Sequence, residues 1–356
     1  MKKFLSIALS LCILLSCAVI FAGCSSDSSK DWPVTVGDVT IEQEPQNIVV
    51  LNDVFADIIS YIGYDVKMVG RSEECDQEFL HVVPTVGTAA APDTAAIAAA
   101  ETDLVIADDT LGADAKSTLE EGGAKVVTYK TPTTSDELKE LYIDLGTVLG
   151  GKTTGSEKGE TGYDGLIEML GTMNTATSNV VQTVAYLYLD ENDQLCTFVK
   201  NTLEYQFFNY NGNTNVFSNQ ETPVVNTEEL RIGSPNYIFY DDEKVLTVLA
   251  ADENLANVNA LVDEHTCQIP KKSFFRYGKS AEQAIFDILN YIDKSSKSTA
   301  DEATPDYSVP ATTAETTAAP AATTAEAATT APADNAASSA ASDQGDSDVI
   351  NYSVEE

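Results

Sequence analysis

Two stretches, DTAAIAAAETDLVIADD (Asp93–Asp109) and NTEELRIGSPNYIFYDD (Asn226–Asp242), align with each other without a gap. Each reads as a polar cap, a short helix, a break, an apolar β-run and an Asp-Asp end. Asp93 and Asn226 are side chains whose oxygen can accept a bond from a free first-turn N–H. Ile97 and Leu230 stand at nearly the same offset on the apolar face. Leu104-Val105-Ile106 and Tyr237-Ile238-Phe239 are continuous apolar runs, expected of strands covered by helices on both faces. Two copies of one helix–strand unit predict two similar α/β lobes.

The flanking sequence extends that pattern. Trp32–Val36 and Val39–Ile41 predict a small edge hairpin around Gly37-Asp38. Ile48–Leu51 is a buried β-run followed by a helix carrying Val54, Ile58, Ile59 and Ile62 and closed by Gly63. Val66–Val69 and Lys125–Tyr129 predict further strands, and Asp136–Leu149 an amphipathic helix. In the second half, Thr183–Leu189, Leu195–Val199 and Cys267–Ile269 read as strands. Leu203–Tyr210, Val245–Leu249, Leu255–Val262 and Ala281–Ile292 read as helices. Strands alternating with helices through short loops imply parallel, doubly wound sheets. The predicted organisation is an N-terminal lobe over 32–153, a single long connecting helix over 154–178 and a C-terminal lobe over 179–294. The connecting helix is weakened by its glycines, each costing up to about 1 kcal/mol against alanine.

Both ends of the chain carry other signals. Lys2 and Lys3, an apolar run from Phe4 to Phe21 and Ala22-Gly23-Cys24 make a secretion signal over 1–23. Small residues before Cys24 resemble a lipobox, although Phe21 stands where leucine is usual. Cys24 would then carry lipid at the head of a tether over 24–31 and hold the protein at a membrane surface outside the cytoplasm. The competing reading is an uncleaved membrane anchor. The segment 295–356 collapses into Ala, Thr, Pro, Ser and acids, a composition that cannot offset ordering entropy and predicts a disordered tail. A bare linker is the simplest reading; glycosylation or wall attachment is the alternative.

Chemistry is constrained mostly by what is missing. The 356 residues carry a formal charge of −36, which argues against nucleic acid and anionic headgroups as partners. Two histidines far apart, His81 and His265, exclude a histidine-rich metal site. There is no nucleophile elbow and no phosphate-binding glycine motif, so no enzyme, resident cofactor or metal is expected. Once Cys12, Cys17 and Cys24 are set aside, Cys75, Cys196 and Cys267 remain without metal spacing. Cys196 and Cys267 share a lobe and could pair, though burial as small apolar side chains is the simpler reading.

With those motifs in hand, a resemblance emerges. WPVTV, VTIEQEPQNIVVLN, YIGYDVKMVGRSEE, PTVGTAAAPDTAAIAAAETDLVIADD and NGNTNVF resemble the periplasmic-binding domain for iron siderophores, haem and cobalamin, over roughly Trp32–Ile292. Members are substrate-binding lipoproteins of ABC importers. The resemblance implies two Rossmann-like lobes joined by one long helix, with a small-molecule ligand (a ferric siderophore, haem or cobalamin) captured between them and delivered to ABC permease subunits. It also implies a glutamate in the first turn of each repeated helix for docking to the permease. Glu228 matches; the first-lobe equivalent is Ala95, a departure that Asp93 could make good. A monomer is expected.

Ligands of open α/β sheets bind beyond the carboxyl ends of the strands. That rule nominates Asn52, Asp53, Arg71, Ser72 and Asp108 in the first lobe, and Tyr188, Tyr240, Phe275 and Arg276 in the second. Arginines can fork onto anionic oxygens and aromatic rings can cover a flat chelate. A surface ion pair for Arg71 and core packing for Tyr188 and Tyr240 are the competing readings. A surface sensor or adhesion protein that keeps the fold without transport is the alternative function, favoured by Ala95 and the tail.

Overall fold

The structure, a computed structural model, describes residues 31–176 and 181–302. The signal sequence, Cys24 and the segment from 303 onward lie outside the described residues. The first lobe begins with the hairpin β1 (Val34–Val36) and β2 (Val39–Ile41). It continues with β3 (Ile48–Val50), α1 (Asp53–Tyr61), β4 (Met68–Arg71), α2 (Thr94–Ala99), β5 (Leu104–Ala107), α3 (Ala113–Glu121), β6 (Lys125–Thr128) and α4 (Ser135–Gly150). Helix α5 (Ser156–Ala176) leads to the second lobe. There β7 (Thr183–Leu189), β8 (Leu195–Cys196), α6 (Leu203–Asn209), β9 (Thr214–Asn215), α7 (Thr227–Gly233), β10 (Tyr237–Tyr240), α8 (Lys244–Ala251), α9 (Asn259–Val262), β11 (Thr266–Gln268) and α10 (Lys279–Glu302) follow.

Each lobe is built on a parallel sheet of the same order. The first runs β4-β3-β5-β6 and the second β9-β7-β10-β11, so in both the sheet's first strand in chain order lies second and is flanked by the strand of the duplicated unit. β8 adds an antiparallel pairing on β7. The period of two along each strand divides its side chains between two helix layers. In the first lobe Ile48, Val50, Leu104, Ile106 and Val127 enter the central core, while Val49, Leu51, Val105, Ala107 and Val126 pack under α2 and α3. In the second, Val184, Tyr186, Tyr237 and Phe239 face the central core, and Ala185, Leu187, Ile238 and Tyr240 face the layer of α7 and α8. The central core is continuous through both lobes, joined by Leu166 and Leu170 of α5 and Ile285 and Ile288 of α10.

The duplicated unit forms in both copies. Asp93 accepts from the N–H groups of Ala95 and Ala96 and opens α2. Asn226 accepts from that of Glu228 and opens α7. Several element bounds differ from expectation for identifiable reasons. Asp65–Lys67 forms a 3₁₀ turn and the strand begins only at Met68, because Lys67 reaches sideways to Glu44 and the Leu149 carbonyl and leaves Val66 89% exposed. The expected strand Leu195–Val199 is ordered as β only at Leu195–Cys196, and the expected helix over 255–262 divides into a 3₁₀ turn and α9. The last helix runs to Glu302, past the boundary expected at 294.

The glycine-rich stretch that weakened the connecting helix is what lets it pack. α4 and α5 form an antiparallel hairpin through a π-type turn, Gly151–Gly155. A Cβ at Gly146 would collide with the carbonyl oxygen of Gly155, and one at Gly159 with that of Tyr142. Backbone contact replaces the lost helix propensity, a tertiary gain that no local scale contains.

Candidate functional site

The carboxyl ends of the parallel strands carry most of the nominated residues, and adjacency in the sheet decides which of them meet. β3 and β5 are neighbours, so Asn52 and Asp108 lie side by side. Asn52 Nδ2 donates to Asp108 Oδ2 at 2.7 Å, while its Oδ1 caps α1 by accepting from the N–H groups of Val54 and Phe55. The other oxygen of Asp108 accepts from the backbone and hydroxyl of Thr110.

Arg276 and Asp53, nominated from opposite lobes, meet each other. Arg276 Nε donates to Asp53 Oδ2 at 3.1 Å, and its Nη2 donates to Asp76 and to the Glu74 carbonyl. The guanidinium side chain is only 8% exposed. Burial works against its charge, but Asp76 and Asp53 more than offset that and raise its pKa. Lys272 adds a second bond to Asp76 at 2.8 Å. Below this ion cluster, Asp57 of α1 is completely buried and accepts from the N–H and hydroxyl of Ser280, the hydroxyl at 2.6 Å. Tyr142 of α4 donates to the Tyr277 carbonyl at 2.7 Å. Tyr277 holds φ at 56°, a left-handed conformation uncommon for a bulky side chain. Together these bonds stitch the segment 276–280 to the first lobe.

Three nominated residues are placed for structure instead. The Arg71 guanidinium turns to backbone carbonyls of its own loop. Its Nε donates to the carbonyls of Leu80 and Val83, both at 3.0 Å, and Nη1 to that of Cys75 at 2.8 Å. It organises the loop after β4, where buried carbonyls need donors. Ser72 is fully buried in the same loop with its hydroxyl against the Cys75 thiol. Tyr240 is 5% exposed and points into the outer core of the second lobe, because period two puts it on the face opposite Phe239.

Tyr188, in phase with Tyr186, reaches the inner face and is half-buried. Tyr186 stacks on Phe198 with ring centres 4.5 Å apart, and Tyr188 and Phe275 lie 6.0 and 6.1 Å from Phe198. Phe275 is 36% exposed, so this aromatic cluster has an accessible edge. The Lys271 ammonium sits 4.3 Å over the Tyr188 ring. Burial, aided by the negative charges of Glu204 and Asp190, pushes the Tyr188 phenol up to about 12, so it is neutral near pH 7.

The 76–79 turn after β4 and the 268–273 segment after β11, one from each lobe, flank a groove of about 1010 Å³. Phe79, Ile269 and Pro270 give it apolar surface, and the first turns of α10 close one side. Gln77 lines it at 3% exposure; its Nε2 donates to the Asp53 carbonyl, and its Oε1 has no donor among the described residues. Gln77, Asp57, Asp76, Phe198 and Lys271 were not nominated from sequence. Only Asp57 left a readable signal there, as an acid set in the apolar stripe of Val54, Ile58 and Ile59.

Glu228 is exposed in the first turn of α7 and forms a two-bond pair with Arg231 of the same helix, 2.7 and 2.6 Å. Its counterpart Ala95 is also exposed. Asp93 caps α2 as Asn226 caps α7, so it is the equivalent of Asn226. Cys75, Cys196 and Cys267 are unpaired thiols. Burial pushes Cys75 up to about 12, which leaves no thiolate at neutral pH. Among the described residues no three His, Cys, Asp or Glu side chains group to hold a metal ion, and no helix is long and apolar enough to cross a membrane.

No family model matches the chain. Over 103 residues it is 37% identical to the Fe(3+) dicitrate-binding periplasmic protein FecB of Escherichia coli (strain K12), a match covering 26% of this chain. The chain thus spans about a third (34%) of the length of that curated relative. The structure is similar to the periplasmic Heme binding protein HutB of Vibrio cholerae, with a TM-score of 0.55, 15% identity, and 69% of this chain and 98% of that one covered. It is also similar to the periplasmic heme-binding protein RhuT from Roseiflexus sp. RS-1, with a TM-score of 0.53, 17% identity, and 70% and 98% covered. The fold is therefore the two-lobe fold of these periplasmic binding proteins.

Proposed function

We propose that this chain is an extracytoplasmic substrate-binding protein, anchored by lipid on Cys24, that captures an iron chelate, haem or corrinoid between its lobes and delivers it to an ABC importer. The observation that carries the proposal is the groove flanked by the 76–79 turn of the first lobe and the 268–273 segment of the second. Its volume of about 1010 Å³ suits a chelate or macrocycle. Asn52, Asp53, Asp108, Tyr188, Phe275 and Arg276 are the proposed contacts, with Gln77 and Phe79 added from the groove. Binding requires the Arg276–Asp53–Asp76 cluster to yield or to become part of the cargo site. No covalent step is involved. Glu228 is the proposed contact to the permease, and docking exchanges Arg231 for a partner cation.

A thermal-shift panel on the full chain in mild detergent, with ferric siderophores, haem and cobalamin, tests the proposal. A ligand at a hundred times its Kd adds about 2.7 kcal/mol, roughly 5–10 °C for a chain of this size. A flat panel overturns it. The exposed Ala95, where an acid would match Glu228, favours the alternative of a surface sensor or adhesion protein. Under that reading a bound cargo is retained: uptake in cells would be unaffected by Glu228→Ala, whereas the transport reading predicts that it falls.

A further inference from the structure

Lys272 and Arg276 of the second lobe both line the groove, and they converge on one carboxylate of the first lobe. Lys272 Nζ donates to Asp76 Oδ2 at 2.8 Å and Arg276 Nη2 donates to Asp76 Oδ1, so each oxygen of Asp76 takes one cation. Such charge-assisted bonds are stronger than neutral ones and recognise a carboxylate whatever molecule carries it. Asp76 itself lines the groove. Burial works against its charge, but the bonds from Lys272 and Arg276 outweigh it and hold its carboxyl below the usual range, so it is an anion at neutral pH.

The three side chains are not held alike. Arg276 is buried, and its Nε stays on Asp53 in the first turn of α1, a bond that does not involve Asp76. Its Nη1 donates to nothing among the described residues, which leaves donors to spare. Asp76 is exposed, precedes the 3₁₀ turn Glu78–Leu80, and its carboxylate takes bonds from those two cations alone among the described residues. The other charges lining the groove form no ion pair with Lys272 or Arg276. Lys279 lies 3.8 Å from Asp65 and over the Phe79 ring, Asp287 accepts from Gln283, and Glu78 and Glu282 have no ion pair among the described residues. Asp57, beneath the cluster, is held by Ser280. Were Asp76 to move away, a buried guanidinium and an ammonium would share Asp53 as their one bonded carboxylate, and a pair of anionic oxygens from outside would restore the match.

Resting on the cargo-binding reading above, we infer that Lys272 and Arg276 form a subsite for a carboxylate, or a like two-oxygen anionic group, of the cargo, and that Asp76 is its built-in competitor. Cargo moves Asp76 aside and leaves the Asp53–Arg276 pair in place. A cargo without an anionic group has nothing to offer the two cations in exchange, so the competitor also selects for charge.

Chemical rescue tests the subsite without any cargo. Thermal unfolding of the full chain in mild detergent is compared in sodium formate and in sodium chloride at equal ionic strength. Formate should raise the Tm of Asp76→Ala by about 2 °C more than that of the parent, the scale of a weak ligand at a few times its Kd. Adding Lys272→Met should remove that gain. An equal response of parent and Asp76→Ala overturns the inference. Calorimetry then tests the cargo, with pairs that differ in a free carboxylate: haem and haem dimethyl ester, a cobalamin monocarboxylic acid and cyanocobalamin, and N-succinyl and N-acetyl ferrioxamine B. Asp76→Asn keeps the shape of the competitor and gives up its charge. Within whichever pair binds, it should bind the carboxylate-bearing member about tenfold tighter than the parent does, the scale of one charge-assisted bond freed from competition, and the other member about equally. No gain, or the same gain for both members, overturns the inference alone. If no member of any pair binds either protein, the cargo-binding reading falls, and formate rescue decides the subsite by itself.

Discussion

Replacing Asp57 with asparagine isolates the one fully buried carboxyl on the seam between α1 and the 276–280 segment. Burial raises its pKa to about 6, and the bonds from Ser280 and the nearby Arg276 charge hold it from rising further. In the unfolded chain an aspartate titrates near 3.9. The folded state therefore holds the proton more tightly, so the contribution of Asp57 to stability is greatest below about pH 4, falls as pH rises through about 6, and is constant above that. The difference corresponds to about 3 kcal/mol between the two limits. Asparagine keeps an oxygen for the Ser280 N–H and presents its amide to a hydroxyl that can accept, and it does not titrate. The stability of Asp57→Asn relative to the parent should then increase by about 3 kcal/mol from pH 4 to pH 7.5. At about 2–4 °C per kcal/mol this is a differential Tm change of roughly 6–12 °C. Differential scanning calorimetry of both proteins across that range reads it directly, and the other carboxyls cancel in the comparison. Parallel Tm curves would refute the reasoning, because they would mean that Ser280 and Arg276 fully compensate the buried charge.

Other parts of the structure make sharper mechanical predictions. Gly159→Val forces a side chain against the Tyr142 carbonyl and should separate α4 from α5, costing about 1–3 kcal/mol or more by chemical denaturation. Gly165→Ala in the same helix, where nothing lies within 4 Å, should instead stabilise by up to about 1 kcal/mol; loss in both variants would discredit the packing account. Arg71→Gln should lower stability by roughly 2–3 kcal/mol and speed amide exchange in the 72–83 loop, since several buried carbonyls lose donors. Unchanged stability with weakened cargo binding would return Arg71 to the ligand.

The architecture was legible because it is local and repeated. Asp93 and Asn226 as caps, and the β5 and β10 runs, are each decided within a few residues, and their gap-free alignment carried over into two sheets of one order. The site was less legible because its bonds are long-range. Nothing near Arg276 in sequence reveals Asp53 and Asp76, which lie more than 190 residues away. Nothing beside Arg71 announces that the carbonyls of Leu80 and Val83 will turn toward it. Tyr240 was a different matter: the alternation that places Phe239 in the central core already sends its neighbour to the other face. That alternation is the basis of the core-packing reading of Tyr240, and the fold follows it.

The duplication also acts as an internal control on which features the fold requires. What both copies share is explained where the bonding is equivalent: Asp93 and Asn226 each cap a helix. The first acids of the Asp-Asp ends are shared but used differently, Asp108 by Asn52 and Asp241 by the Lys271 N–H, so the fold demands an acceptor there and not one fixed partner. The second acids divide further. Asp242 caps the entry to α8 through the Lys244 N–H. Asp109 is exposed and has no hydrogen bond or ion pair among the described residues, so packing gives no reason for its charge. Neutralising Asp109 should therefore leave stability nearly untouched, as expected for surface substitutions. Any loss of ligand affinity in that variant would report a role that folding does not require. It is the side chain at which the demands of the fold and the demands of a ligand separate most cleanly.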